Sequence, residues 1–228
     1  MNFRINRFFI LVFLITTSVF AQTKTVTPGS SFKNVKVSTG LFVEIKTGVD
    51  ESKIEVKGSE RNKVNIEIDE NELQLSLPVG QAFTEAEILV TVYTKSVEEL
   101  KVRSGSEVEF ISEVKQDQIS LIASEGSYIG GKLKIGNLEV RAVTGASISL
   151  VGEADTSNVE VKTGGAFDAE NLTTATTTVK VSFGGEASVL ASESCTASVK
   201  AGGNIRVFGS PETIRQNVKL GGNITLVE

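Results

Sequence analysis

The sequence predicts an all-β chain: a right-handed parallel β-helix, a solenoid with rungs of about 20 residues, preceded by an antiparallel β segment. Three observations predict it. Apolar and polar residues alternate with period two along most of the chain, the pattern of half-buried strands. Glycines 105, 126, 145, 164, 184, 202 and 221 recur at spacings of 21, 19, 19, 20, 18 and 19 residues. An aliphatic pair precedes each of these glycines, and a second apolar residue or pair follows most of them. A fixed period near 20 marks a stack of like coils, because no single coil has enough apolar surface to close a core alone.

Taken in chain order, residues 1–21 read as an export signal. Arg4 and Arg7 precede a short apolar run, Phe8 to Val19, and Val19-Phe20-Ala21 offers a small residue at the cut. The run is shorter than the roughly 18–20 residues that span a bilayer, and no later stretch is long enough, so no membrane span is expected after cleavage. The mature chain would be Gln22–Glu228, 207 residues with a net charge of −7. Residues 22–29 read as a linker.

Residues 30–96 read as the antiparallel segment. Alternation appears in Val35-Lys36-Val37, Val43-Glu44-Ile45, Ile54-Glu55-Val56, Val64 to Ile68, Leu73 to Leu77 and Ile88 to Tyr93. Turn residues separate these runs, and Asp69-Glu70-Asn71 between two of them predicts a hairpin. An open stack exposes a strand edge, so this segment is expected to cap the first rung.

Residues 97–228 read as six to seven rungs, continuous with 30–96 as one domain. The pairs before the glycines are Leu100/Val102, Leu121/Ala123, Val140/Ala142, Val159/Val161, Val179/Val181, Val199/Ala201 and Val218/Leu220. Stacked rungs place such residues above one another, and each buried Val or Leu contributes about 1.5–3 kcal/mol. At a strand spacing of roughly 4.8 Å, six steps give an axis of about 29 Å. The right hand follows from the strong preference of parallel crossovers. A leucine-rich horseshoe needs an Asn-bearing Leu motif and a helical return arm, and both are missing. The glycines read as bends in the left-handed region. A phosphate-cradling loop would need a helix after the glycine, and none follows.

Composition removes several functions. The chain has no His and no Trp, one Cys, 23 Lys+Arg and 28 Asp+Glu. No Ser-His-Asp machinery, His-ligated zinc or internal disulfide is available. An acidic chain with interspersed charge argues against nucleic acid. Only seven of the twelve Phe lie outside the signal, so Val, Ile, Leu and Ala must build the core.

The last rungs read Ala201-Gly202-Gly203-Asn204-Ile205 and Leu220-Gly221-Gly222-Asn223-Ile224, with Gly209-Ser210-Pro211-Glu212 between them. Together with Phe32 to Val37 and Val43-Glu44-Ile45, this order resembles the head GIN domain family of adhesins from exported proteins of Bacteroidetes. The resemblance covers about residues 30–228. It implies an exported, β-helix-like domain at the cell envelope: periplasmic, on the outer surface or secreted. It carries over no catalytic, cofactor-binding or metal-binding residue.

The expected function is therefore a non-enzymatic binding or structural module of adhesin type, with an extracellular glycan or protein as partner and no cofactor. The candidate binding residues are Lys101, Arg141, Lys162, Lys180, Lys200 and Lys219, read as one outward basic stripe beside the aliphatic pairs. Such lysines also keep a strand surface soluble and discourage edge pairing. The alternative function is a carbohydrate-active or glycan-binding β-helix, which would need converging carboxylates. Glu107 and Glu109 could share one face, and Glu139 and Glu160 could stack on adjacent rungs. Glu125, Asp168 and Glu186 read as scattered. Cys195 reads as a packing residue. A third possibility is self-association through the solenoid ends or flanks.

Overall fold

A computed structural model describes residues 23–78 and 88–227; the export signal predicted at 1–21 lies outside the described residues. The N-terminal part supplies β1 (Thr23–Val26), β2 (Asn34–Val37), β3 (Phe42–Lys46) and β4 (Lys53–Lys57). After a single 3-10 turn at Arg61–Lys63 come β5 (Asn65–Asp69), β6 (Glu72–Ser76), β7 (Leu89–Tyr93) and β8 (Glu99–Val102). Five long strands follow: β9 (Glu107–Ser124), β10 (Tyr128–Val143), β11 (Ser147–Lys162), β12 (Ala166–Ser182) and β13 (Glu186–Lys200). The chain closes with β14 (Asn204–Phe208), β15 (Thr213–Lys219) and β16 (Asn223–Val227).

The long strands stack in parallel, and each passes through two walls. The first half of β13 pairs with β14 and its second half with β15. Likewise β9 pairs with β3 through Glu107–Phe110 and with β8 through Ser120–Ala123. The result is the predicted parallel β-solenoid. A front wall runs β1-β4-β7-β3 and then through the first halves of the long strands to β14 and β16. A back wall runs β5-β6-β2-β8 and then through the second halves to β15.

Both walls turn alternate residues inward into one core. Val108, Ile129, Ile148, Phe167, Ala187 and Ile205 stack along the front wall, and Leu121, Val140, Val159 and Val179 along the back; all are buried. The core is mainly aliphatic, because stacked coils fill their interior with like residues; Phe32, Phe110 and Phe167 are the buried rings among the described residues.

The glycine column is real, and its geometry is more specific than a simple bend. Each coil passes from back wall to front through two successive residues with positive φ. Thr39, Ser104, Glu125, Thr144, Thr163, Phe183, Ala201 and Leu220 come first, with φ of 51–66°, and each is followed by its glycine. Two positive-φ residues in a row make a type I′ turn, which favours glycine at the second place. The turns are tied to one another: the Gly105 N–H donates to the Glu125 carbonyl at 3.0 Å, and that of Gly126 to Thr144 at 3.1 Å. Residues two places after each glycine share one level, from Glu107 through Tyr128 and Ser147 to Asn223.

Differences in coil length are absorbed on the opposite side, where the long strands bend. Register shifts fall between Gly131 and Leu133, between Ser149 and Val151, and between Ala169 and Thr173. The turn is a closed four-residue unit that tolerates no insertion, whereas a bend can bulge.

The N-terminal segment is mixed. Antiparallel pairings are β1 with β4, β4 with β7, and the predicted hairpin of β5 with β6. Within the same segment β2 pairs parallel with β6 and β8, and β3 with β7 and β9, and these pairings continue the solenoid. Gly40 therefore belongs to the glycine column. The sequence conceals it because β4 to β7 are inserted between the Gly40 coil and the Gly105 coil, which breaks the period.

Cys195 is 1 % exposed, in an inner column between Thr177 and Ile214. Burial pushes its thiol up to about 11 from an ordinary value of 9.0. A raised folded-state value means the fold favours the neutral thiol. Its contribution is therefore complete below pH 9 and is lost as pH rises through 11, by at most about 2–3 kcal/mol. Urea stability compared at pH 8 and pH 10.5 should fall more in the native protein than in Cys195→Ala; equal slopes would refute it.

Candidate binding surface

The outward side of the back wall carries the residues expected to form a basic stripe. All six do point outward, but they do not form one column. The wall's central column runs Lys36, Lys101, Ile122, Arg141, Glu160, Lys180, Ser198 and Asn217. Lys162, Lys200 and Lys219 lie in the next column toward the turn, with Val143 and Ser182 between and beside them.

For Lys200 and Lys219 the cause is a slip of two residues in aligning the last coils, whereas Lys162 follows its correctly aligned pair Val159/Val161 and leaves Glu160 in the central column. Ala201 and Leu220 are not the inward residues expected there; they occupy the first turn position, and Leu220 is 84 % exposed. The inward residues are Ala197 and Val199, then Gln216 and Val218, three to five positions before the glycine. A slip of two preserves the in–out parity of a strand, so the facing direction was right and the neighbours were wrong.

The six residues also differ electrically. Lys101 bonds Glu99 at 2.5 Å, Arg141 bonds Glu160 at 3.0 Å, and Lys162 bonds Glu160 at 2.5 Å. The Lys162 ammonium, helped by Arg141, holds the Glu160 carboxyl below its ordinary range. Glu160 thus pairs with both middle cations and offsets one of their two charges. Lys180, Lys200 and Lys219 make no ion pair among the described residues, and all three are exposed. Arg215, which the sequence pattern did not single out, is exposed on the adjacent column beside Thr196. Free positive charge is therefore gathered toward the C-terminal end of the back wall.

The carboxylates form no second candidate of equal weight. Glu139 and Glu160 do not stack: Glu139 faces Asn158, and Glu160 faces Arg141. Glu107 and Glu109 do share the outward side of the front wall. Glu109 lies beside the Tyr128 hydroxyl over Gly130, where an added Cβ would meet a Glu109 carboxyl oxygen at 2.0 Å. Burial pushes the Glu109 carboxyl up, and burial with the Glu109 charge pushes the Tyr128 phenol up. Among the described residues no group of three or more His, Cys, Asp or Glu is placed to hold a metal ion. A shallow groove of about 360 Å³ lies where the chain enters the back wall, lined by Glu98, Gln118, Asn137, Glu139 and Asn158. No helix among the described residues is long and apolar enough to cross a membrane.

Comparisons with known proteins place this geometry among known folds. The family model described as "Putative auto-transporter adhesin, head GIN domain" matches residues 31–211. A putative adhesin from Bacteroides fragilis NCTC 9343 superposes with a TM-score of 0.82 at 18% identity, over 90% of this chain and 96% of that one. A putative adhesin from Parabacteroides distasonis ATCC 8503 gives a TM-score of 0.68 at 20% identity, over 90% and 96%. A protein from that same strain described as a putative lipid binding protein gives 0.68 at 14% identity, over 91% and 96%. No curated protein matches the chain.

Proposed function

Because the chain belongs to the head GIN domain family, described as auto-transporter adhesins, we propose that it is an exported, non-enzymatic binding module of the cell envelope. Residues 1–21 are its removable export signal, and residues 30–228 form one continuous binding unit. Its partner is an anionic extracellular surface, such as an acidic glycan. The single observation that supports this is the set of exposed, unpaired cations Lys180, Lys200, Lys219 and Arg215 on one regular wall. The spacing of stacked strands, roughly 4.8 Å, sets these charges in a grid that an extended polyanion can follow. Contacts of this kind weaken with salt, because exposed charges are screened beyond about 8–10 Å at physiological ionic strength.

The test is binding of a sulfated polysaccharide by the purified protein across a salt series. Lys180→Glu, Lys200→Glu and Lys219→Glu combined should weaken binding at least tenfold and flatten its salt dependence. Lys101→Gln should change it less than twofold, since Glu99 already neutralises that charge. If the triple variant binds as well as the native chain, or neither binds at all, the anionic-partner reading fails.

The alternative of a carbohydrate-active protein draws on Glu109 and Tyr128 on the front wall. Polysaccharide cleavage that disappears in Glu109→Gln would establish it in place of the binding reading.

A further inference from the structure

We propose that the C-terminal end of the solenoid is an interface between two copies of this chain, related by a two-fold axis. In it, β15 and β16 each pair antiparallel with their own counterpart.

The two ends of the stack are built differently. At the C-terminal end, among the described residues, β15 pairs only with β13, and β16 only with β14, so each keeps one strand edge without a described partner. The core columns run out there unfinished. Val199 is followed by Val218, and Val207 by Leu226, yet Val218 is 46 % and Leu226 50 % exposed. Ile214 and Ile224 are only partly covered. No charged residue points inward on either strand. A bare edge with apolar inward residues is a template for further strand addition.

The N-terminal end is guarded on one wall: β5 turns the partly covered Ile66 and Ile68 inward, and the obstacle to strand addition stands on β1. Its outermost strands are β1 and β5. Lys24 stands on the inward side of β1, beside Val56. An inward charge on an edge strand opposes pairing. None of the exposed large hydrophobic residues lies on β1 or β5.

The C-terminal edge is complementary to itself. Gln216 is the middle residue of β15 and Thr225 of β16, and both lie equally far along the chain from the Leu220-Gly221 turn. One axis through both residues therefore satisfies both walls. In that register Ile214 faces the partner's Val218, and Ile224 faces the partner's Leu226. Gln216 faces the partner's Gln216, where two amides can each donate and accept. Outward, Arg215 faces the partner's Asn217 and Lys219 faces the partner's Thr213, so no like charges stand directly opposite. A patch that fits its own copy gives a closed pair. This inference is independent of what the back wall binds.

Light scattering on the purified chain, from micromolar to near-millimolar concentration, should give twice the monomer mass. Val218→Lys with Leu226→Lys should shift that mass to the monomer while the circular dichroism and melting curve keep their native form, because both residues sit half-exposed on the last rung. As a second reading, Thr225→Cys should form a covalent dimer on oxidation, since facing Cα atoms lie about 4.5–5.5 Å apart in such a pair, within the span of a disulfide. Thr25→Cys on β1 should not. A monomer at every concentration overturns the proposal. So does an open series of masses, which would mean that Arg215 and Lys219 meet Glu67 and Asp69 head to tail. So does a dimer that survives both lysines without the Thr225→Cys cross-link.

Discussion

Gly152→Ala is expected to destabilise the protein by about 3 kcal/mol or more, a fall in melting temperature of about 6–12 °C for a chain of this size. The same change at Gly126 should cost only about 1–2 kcal/mol. Both glycines have positive φ, so the sign of φ alone does not separate them. Gly126 has φ 71°, close to the left-handed well that other residues of the column already occupy, and no atom lies within 4 Å of where its Cβ would be. Gly152 has φ 115°, outside that well, and its Cβ would sit 2.1 Å from the Leu133 carbonyl oxygen of the neighbouring coil. That oxygen belongs to the backbone of a packed rung and cannot swing aside. Thermal and urea denaturation of the two variants measure the difference; equal costs would mean that the coils can part locally at the bend.

Leu121→Ala should cost about 2–5 kcal/mol, the range for deleting a large buried aliphatic side chain. Leu121 is fully buried and packs in register between Leu100 and Val140. Its removal leaves a void bounded by rungs above and below, and the backbone ladders on both sides hold those rungs apart. Leu226→Ala on the last rung should cost less than about 1 kcal/mol in the monomer, because half of that side chain already faces water. In a stack each rung answers only to its neighbours, so cost should track position along the axis. A lower urea midpoint with an unchanged slope would identify lost packing. Equal effects at the two sites would contradict this nearest-neighbour picture.

Much of the fold is legible because stacking converts sequence period into spatial column. The glycines at 105 to 221 mark the turns, and the residues two positions after them share one level. The candidate surface is less legible. In–out parity survives a slip of two residues, so Lys200 and Lys219 were placed on the correct side and beside the wrong neighbours. Pairing also escapes a pattern reading. Glu160 pairs with both Arg141 and Lys162 because it is adjacent to one across the strands and two residues from the other. Arg215 is missed because its column holds mostly neutral residues. The polar contact of Ser157 with Thr177, 3.0 Å apart inside the core, breaks the aliphatic pattern and is visible only once the two coils are aligned.

The sequence by itself determined most of the strands, the coil repeat, the turns from Gly105 to Gly221 and the side of the wall on which each residue lies, because period-two alternation and left-handed glycine turns are local properties of the chain; β1 (Thr23–Val26), in the stretch read as a linker, escaped it because only its pairing with β4 makes it a strand. Tertiary structure alone decided the rest: that the Gly40 coil joins the stack, that Gly152 touches Leu133, which cations stay unpaired, and that one end is left open. These depend on which segments become neighbours across long separations, and where bends of unequal length set the register between coils, no local pattern fixes that choice.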